Sequence, residues 1–427
     1  MGIDKYNSYT ESGVEWIGEI PSHWSIKRLK FLTKESLKYG ANVPAELIEP
    51  GFPRYVRITD VDTNGNLKDE TFRSLEPEIA QPYLLQEGDI LLARSGATVG
   101  KSFIYKDSWG QSAYAGYLIR ARINTKKYDP QFLYYTTKSN GYAQWIESIT
   151  IQATIQNVSA EKYASLYFSI PPSVVEQQSI ANFLDKEVSR LDTLIEKKQQ
   201  FIERLKEKRL AVITNAVTKG IDPTVELKPS GIEWLGDIPK HWEVKKLKYI
   251  FQNLNFRRIP LAGEDRASLE KVYPYYGASG IIDFVDNYLF DEAHILVAED
   301  GANLYSRSTP LAFIATGKYW VNNHAHILKH KYGNIEFWEW LLQIFEYYPL
   351  ITGSAQPKLT SDRLMSIQVP VPPDTEQDSI ITLTKPEISQ IDNLINKTGE
   401  TVRKLQEYKT ALISAAVTGK IKVTEPS

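Results

Sequence analysis

From Val188 onward, apolar side chains recur at alternating steps of three and four: Val188, Leu191, Ile195, Ile202, Leu205, Val212, with Ala216 closing the series. Lys198 and Arg209 fill the two positions of the stripe that are not apolar. The rhythm returns at Ile388, Ile391, Ile395, Val402, Leu405, Leu412 and Ala416, broken at Thr398 and Lys409, the same two places. A three-four repeat marks a helix that buries one narrow seam against a partner. Matched interruptions predict that the two seams do the same job, packed on each other; the alternative is two independent amphipathic helices, each packed on its own globular domain. Each seam covers about 30 residues, hence about 45 Å of helix. Gly220 and Pro223 predict where the first helix stops. Pro386 stands immediately before the second seam, where the first copy has no proline, and predicts that the second helix starts there.

Ahead of each seam the pattern changes to short apolar runs broken by turns. GDILLARSGATVGKSFIY, from Gly88, reads as strand–loop–strand. AHILVAEDGANLYSRSTPLAFI, from Ala293, is a related piece. Ile90-Leu91-Leu92-Ala93 corresponds to Ile295-Leu296-Val297-Ala298, and Gly96 to Gly301, while Arg94-Ser95 gives way to Glu299-Asp300. A kept strand that presents variable polar loops suits a recognition surface.

The chain is internally repeated. SGVEWIGEIPSHWSIKRLKF from Ser12 returns as SGIEWLGDIPKHWEVKKLKY from Ser230. PPSVVEQQSIANFLDKEVSRLDTLI from Pro171 returns as PPDTEQDSIITLTKPEISQIDNLI from Pro372, and the likeness runs on to ITNAVTKGI and ISAAVTGKI. Each half therefore reads as a Trp/Pro frame, a divergent insert, Pro-Pro and a helix. The expected divisions are a first domain over 1–170, a helical spacer over 171–221, a second domain over 222–371 and a second spacer over 372–427. The expected class is α+β: two mixed, β-rich domains in pseudo-twofold arrangement, joined by two long antiparallel coiled-coil helices.

Composition narrows the function. The absence of cysteine excludes a disulfide framework and a thiolate metal site. The N-terminus lacks the basic and apolar regions of a secretion signal, and no apolar run reaches the roughly 20 residues that span a bilayer. These features predict a cytoplasmic protein without membrane attachment. The formal net charge of −2 argues against a uniformly basic nucleic-acid binder. Local basic patches exist at Lys27, Arg28, Lys30 and Lys34, and at Lys245, Lys246, Lys248, Arg257 and Arg258; a short run of this kind is more often a solvated face.

Enzymatic chemistry finds little support. GATVGKS, Gly96 to Ser102, has one residue too few between its glycines for a phosphate-binding loop, and a strand rather than a helix follows Lys101. IPPS and VPPD lack the polar and aromatic flanks of an adenine-methylase loop and read as rigid strand-to-helix linkers. His324 and His326 lack metal-ligand spacing; alternation along a strand predicts them on one face. His23 and His241 recur inside the frame, which favours a structural role.

The doubled arrangement resembles the specificity subunit of type I restriction-modification enzymes along nearly the whole chain. The residues that carry the likeness are the WIGEIPSHW and WLGDIPKHW frames, the paired strand–loop segments, NNHAHIL, GSAQPKL and the two PPxxEQ-helix units. The resemblance implies two target-recognition domains, each reading half of a bipartite double-stranded DNA site. It implies helices that act as a ruler and dock two methylase subunits, with restriction subunits able to join. It implies that S-adenosylmethionine and ATP with Mg²⁺ belong to those partners, and that this chain binds no cofactor or metal and holds no catalytic residue. The helix seam, at about 45 Å, slightly exceeds one turn of B-DNA, roughly 34–36 Å. A two-domain protein-interaction scaffold without DNA specificity is the alternative.

Amide, guanidinium, ammonium and hydroxyl groups can all read base edges. The expected DNA contacts in the first domain are Arg94, Ser95, Thr98 and Lys101, with Gln152, Thr154 and Gln156 behind them. In the second they are Asn303, Ser306, Arg307, Asn322, Asn323, His324, Gln356 and Lys358.

Overall fold

A computed structural model describes residues 4–62, 65–150, 157–353 and 356–423. It resolves into two compact units: unit 1 joins residues 1–199 to 400–427, and unit 2 is residues 200–399. Two long helices, Val174–Lys219 and Asp374–Val417, contribute a part to each unit.

Within unit 1 the beginning of the first long helix packs on the end of the second. Ile180, Leu184 and Leu191 share a core with Leu412, Ile413, Ala416 and Val417, and Val188 and Leu405 border it. Unit 2 holds the reciprocal pairing, with Ile213, Ala216 and Val217 in one core with Ile380, Ile381 and Ile388. A start packed on an end, twice over, makes the pairing antiparallel. Leu191, Ile195, Leu205, Ile388, Ile391, Val402 and Leu412 are buried, and Val188, Ile202, Val212, Ile395 and Leu405 are half-buried, so all predicted seam positions face inward. Toward the helix ends the buried stripe widens to Ile213 and Val217, and to Ile413 and Val417, where the helices leave the seam and meet the globular cores.

Pro386 does not start the second helix; it lies inside it, twelve residues past Asp374. A proline removes one backbone hydrogen bond and crowds the preceding turn. Burial of Ile380 and Ile381 before it and Ile388 after it holds the helix through that gap.

The globular parts repeat one topology. In unit 1, β1 (Lys38–Tyr39), β2 (Ile90–Ala93), β3 (Ser102–Ile104) and β4 (Leu118–Ala121) form a sheet in the order β1-β4-β2-β3. In unit 2, β5 (Phe251–Asn253), β6 (His294–Ala298), β7 (Ala312–Ala315) and β8 (Ala325–His330) form a sheet in the order β5-β8-β6-β7. The register also corresponds: Ala93 faces Leu118, and Ala298 faces Ala325. The central strands β2 and β6 are buried at every position, which matches the apolar runs over Ile90–Ala93 and residues 295–298. A parallel pair accompanies each sheet, Arg54–Val56 with Ser112–Tyr114 and Tyr273–Gly277 with Lys318–Val321.

The Trp/Pro frame is a structural tie. Each copy closes the same turn, with Ser12 N donating to Gly18 O and Ser230 N to Gly236 O, both at 3.1 Å. The strand that follows pairs with the strand before Pro-Pro: Ser25–Arg28 with Tyr167–Ile170, and Glu243–Lys246 with Gln368–Val371. The first frame then packs on the end of the second long helix, and the second frame on the end of the first. A Cβ on Gly419 would lie 2.4 Å from Pro21, and one on Gly220 would lie 3.3 Å from Trp242. Both glycines have positive φ, +69° and +75°, as helix-ending glycines commonly do.

The Pro-Pro and Glu-Gln units, with three residues between the pairs in the first copy and two in the second, complete this tie. Glu176 accepts hydrogen bonds from Trp24 Nε1 at 3.0 Å and Tyr6 Oη at 2.9 Å, and His23 Nε2 lies 3.4 Å away. Glu376 meets His241 Nε2 at 2.7 Å. Gln177 and Gln377 are fully buried. Each donates to the carbonyl of the first proline of its Pro-Pro pair, Pro171 O or Pro372 O, at 3.0 Å. Each accepts from the residue capping a domain helix, Asp129 N at 2.8 Å or Asn334 N at 3.0 Å.

Candidate nucleic-acid interface

In unit 1, β2 ends in a surface junction of three segments. Arg94 N donates to Tyr117 O at 3.0 Å, the turn before β4. Val158 N donates to Arg94 O at 2.8 Å, and Ser95 is bridged to Asn157. The Arg94 guanidinium stands over the Tyr39 ring, 4.7 Å from its centroid, and its Nε reaches Asn157 Oδ1 at 3.4 Å. Tyr117 is 67% exposed beside it. The glycine-rich loop follows, with Thr98 Oγ1 donating to Ser95 O at 3.3 Å and the Lys101 side chain exposed. Arg94, Ser95, Thr98 and Lys101 therefore share one surface. Gln152, Thr154 and Gln156 lie outside the described residues.

Unit 2 builds its junction from the end of β6 and the turn before β8, with Lys358 and Leu359 as third segment. Glu299 N donates to His324 O at 2.9 Å, Leu359 N donates to Glu299 O at 2.7 Å, and Asp300 is bridged to Lys358. The Glu299 carboxylate accepts from Arg258 and meets Lys358 Nζ at 3.2 Å, with His326 Nδ1 3.6 Å away. Burial alone would raise the pKa of Glu299; the Arg258 hydrogen bond and the positive charges around it outweigh burial and hold it below the ordinary carboxylate value. Arg258 also donates to Ala325 O at 2.9 Å and Asn323 O at 3.3 Å.

The predicted residues of unit 2 divide into two groups. Asn322, Asn323, His324 and Lys358 meet at the junction, and exposed Gln356 lies on the same loop as Lys358. Asn322 is buried and accepts from His324 N at 2.8 Å, so its role there is to shape the turn. Asn303, Ser306 and Arg307 occupy the neighbouring helical turn. Asn303 Oδ1 accepts from Ser308 Oγ and Thr309 N at 3.0 Å, and Arg307 donates to Gln343 O and Glu346. Arg307 is the one non-glycine residue with positive φ among the described residues, at 48°.

The two histidines of NNHAH do not share a face. β8 starts at Ala325, so His324 belongs to the turn and not to the strand alternation. His324 is exposed, its Nδ1 2.8 Å from Asp300 Oδ2. His326 is buried between Asn255 Nδ2 at 2.7 Å and Leu359 O at 2.8 Å, and desolvation lowers its pKa.

Sequence reasoning did not single out Tyr39, Tyr117 and Asn157 in unit 1. Asn157 and Tyr117 are brought to Arg94 only by long-range pairing, which leaves no local motif. The Glu-Gln pair, by contrast, stands at the same place in both repeats, and that recurrence is a signal of its shared structural work.

Comparison with known proteins bears on this doubled geometry. The family model of the type I restriction modification DNA specificity domain matches residues 21–204 and again 239–402. The chain belongs to this specificity family. Each family match opens at a frame proline, Pro21 or Pro239, and runs into a long helix. Over 95% of the chain it is 26% identical to a putative type I restriction enzyme MjaX specificity subunit of Methanocaldococcus jannaschii, covering 96% of that protein. It is 32% identical over 160 residues, 37% of each chain, to a putative type I restriction enzyme specificity subunit of Haemophilus influenzae. A solved structure described as the basis of complex assembly and conformational transition of the type I R-M system shares the fold. It has a TM-score of 0.71 at 13% identity and covers 94% of this chain and 99% of its own. Among the described residues of this specificity protein, no helix is long and apolar enough to cross a membrane.

Proposed function

We propose that this chain is the sequence-reading subunit of a type I restriction-modification enzyme, in which each unit reads one half of a bipartite DNA target. The observation that carries this reading is the pair of equivalent junctions. Both lie at the same place in the same four-stranded topology, and they carry different polar side chains. One architecture with two chemistries is what two unlike half-sites require, because phosphate contacts position a protein while base edges specify.

The long helices set the number of base pairs between the half-sites. Paired antiparallel helices do not stretch, so their length converts into a fixed spacing. They also dock two methylase subunits. Leu194 and Leu394, at matching places on the two helices, are 38% and 46% exposed and give such partners an apolar foothold. S-adenosylmethionine belongs to the methylase subunits, and ATP with Mg²⁺ to restriction subunits where these join. This chain contributes recognition, and the partners contribute adenine methylation and cleavage. With the partners supplying part of the phosphate grip, a net charge of −2 is compatible with DNA binding.

The test is an insert exchange. Replacing the segment between the first frame and Pro171 with that of a relative of different specificity changes one half-site in a methylated-adenine map and leaves the other intact. A change in both halves, or in neither, rejects the reading.

A further inference from the structure

The two junctions agree in backbone and disagree in charge. Residue 94 and residue 299 each follow the last residue of a central strand. Each donates its amide to the turn before the next strand, Tyr117 O or His324 O. Each accepts at its carbonyl from the segment leading to the last strand, Val158 N or Leu359 N. The following residue is bridged to that segment in both, Ser95 to Asn157 and Asp300 to Lys358. On this common scaffold one position bears a guanidinium and the other a carboxylate.

Resting on the sequence-reading role proposed above, we infer that positions 94 and 299 determine the specificity of the two halves, Arg94 by touching a base and Glu299 by positioning Lys358. Arg94 is held at one edge only. Its face lies on Tyr39 and its Nε reaches Asn157 at 3.4 Å, while its two terminal nitrogens make no hydrogen bond among the described residues. A guanidinium laid on an aromatic face, its fork unbonded among the described residues, has the geometry for bidentate bonding to guanine O6 and N7. Glu299 cannot act that way, since its side chain is only 10% exposed and is already bonded to Arg258 and Lys358. Lys358 is 52% exposed and projects from the same junction. Its ammonium, held at 3.2 Å by Glu299, is thereby presented toward a base edge.

The experiment uses the full chain assembled with its methylase partner, presented with a randomised duplex library, and reads the preferred base at each position of both half-sites. Arg94→Ala removes about tenfold of the preference at one position of the first half-site and leaves the second unchanged. Lys358→Ala and Glu299→Gln each relax one position of the second half-site by a similar factor. Their double variant is no worse than either alone, because both act through one ammonium. Arg94→Lys, which keeps the charge and loses the fork, behaves like Arg94→Ala. Thermal melting of each variant separates these effects from misfolding; Lys358 and Arg94 lie at the surface, so their variants keep the parental midpoint. Uniform loss of affinity with unchanged base preference overturns this inference alone, since the groups would then be serving the phosphates. A parental complex that selects no bipartite sequence overturns the reading role, and this inference with it.

Discussion

Lys409 Nζ lies 2.6 Å from Asp192 Oδ1, so the charge that interrupts one helical seam is met by an acid on the other helix. Unit 2 repeats the pairing with Arg209 Nε and Asp392 Oδ1 at 2.7 Å. The two interruptions are thus register marks: a helix slipped by one turn leaves both cations without their acids. Each pair is partly exposed, so its contribution is about 0.5–1 kcal/mol and weakens with salt. Lys409→Asp lowers the thermal midpoint by bringing two acids together, and adding Asp192→Lys restores most of it. Melting curves of the two singles and the double, at low and high salt, measure the coupling.

Gly419→Ala is expected to cost more than Gly220→Ala. Both glycines sit at positive φ, which an alanine adopts at a cost of about 1–2 kcal/mol. At Gly419 the new methyl would also stand 2.4 Å from two ring atoms of Pro21, whereas at Gly220 the nearest atom is 3.3 Å away. Denaturant midpoints rank the two variants, and hydrogen exchange places the Gly419→Ala loss in unit 1, around the first frame.

Acid acts first on unit 2. His294, His326 and His330 all belong to that unit, and burial lowers the pKa of each, that of His294 to about 4. The unfolded chain binds protons at these imidazoles below pH 6.5 and the folded chain does not. The contribution of each is therefore complete above pH 6.5 and is lost as pH falls, for His294 down to about pH 4. At pH 5 the penalty at His294 alone is about 2 kcal/mol. Hydrogen exchange at pH 7 and pH 5 shows amide protection falling in residues 200–399 before it falls in unit 1. His294→Phe reduces that difference.

The seams, the central strands and the doubled order were legible because each is a local pattern of burial. Leu191 and Ile391 announce their faces within one helical turn, and Ile90 to Ala93 announce a strand buried on both sides. What escaped is set by long-range topology. Nothing near Pro21 signals that it packs on Gly419. The sequence neighbourhood of Asn157 says nothing of Arg94. Pro386 misled for the opposite reason: a strong local signal was overridden by the burial of Ile381 and Ile388 around it. His324 escapes the strand alternation that governs His326 because it lies in the turn, one residue before the strand begins. At the polar surface loops, side chains such as Arg307 and Asn303 have the chemistry to bond bases, yet their bonds to Gln343 and Thr309 appear only in three dimensions.

In the proposed function the paired helices fix the distance between two independent readers. Removing one heptad from the middle of each long helix keeps the three-four phase of the seam and shortens both by about 10 Å. At 3.4 Å per base pair, that is about three base pairs. A methylated-adenine map of the shortened protein with its partner is predicted to show both half-sites unchanged and the spacer between them about three base pairs shorter. An unchanged spacer, or altered half-sites, contradicts a ruler role for the helices.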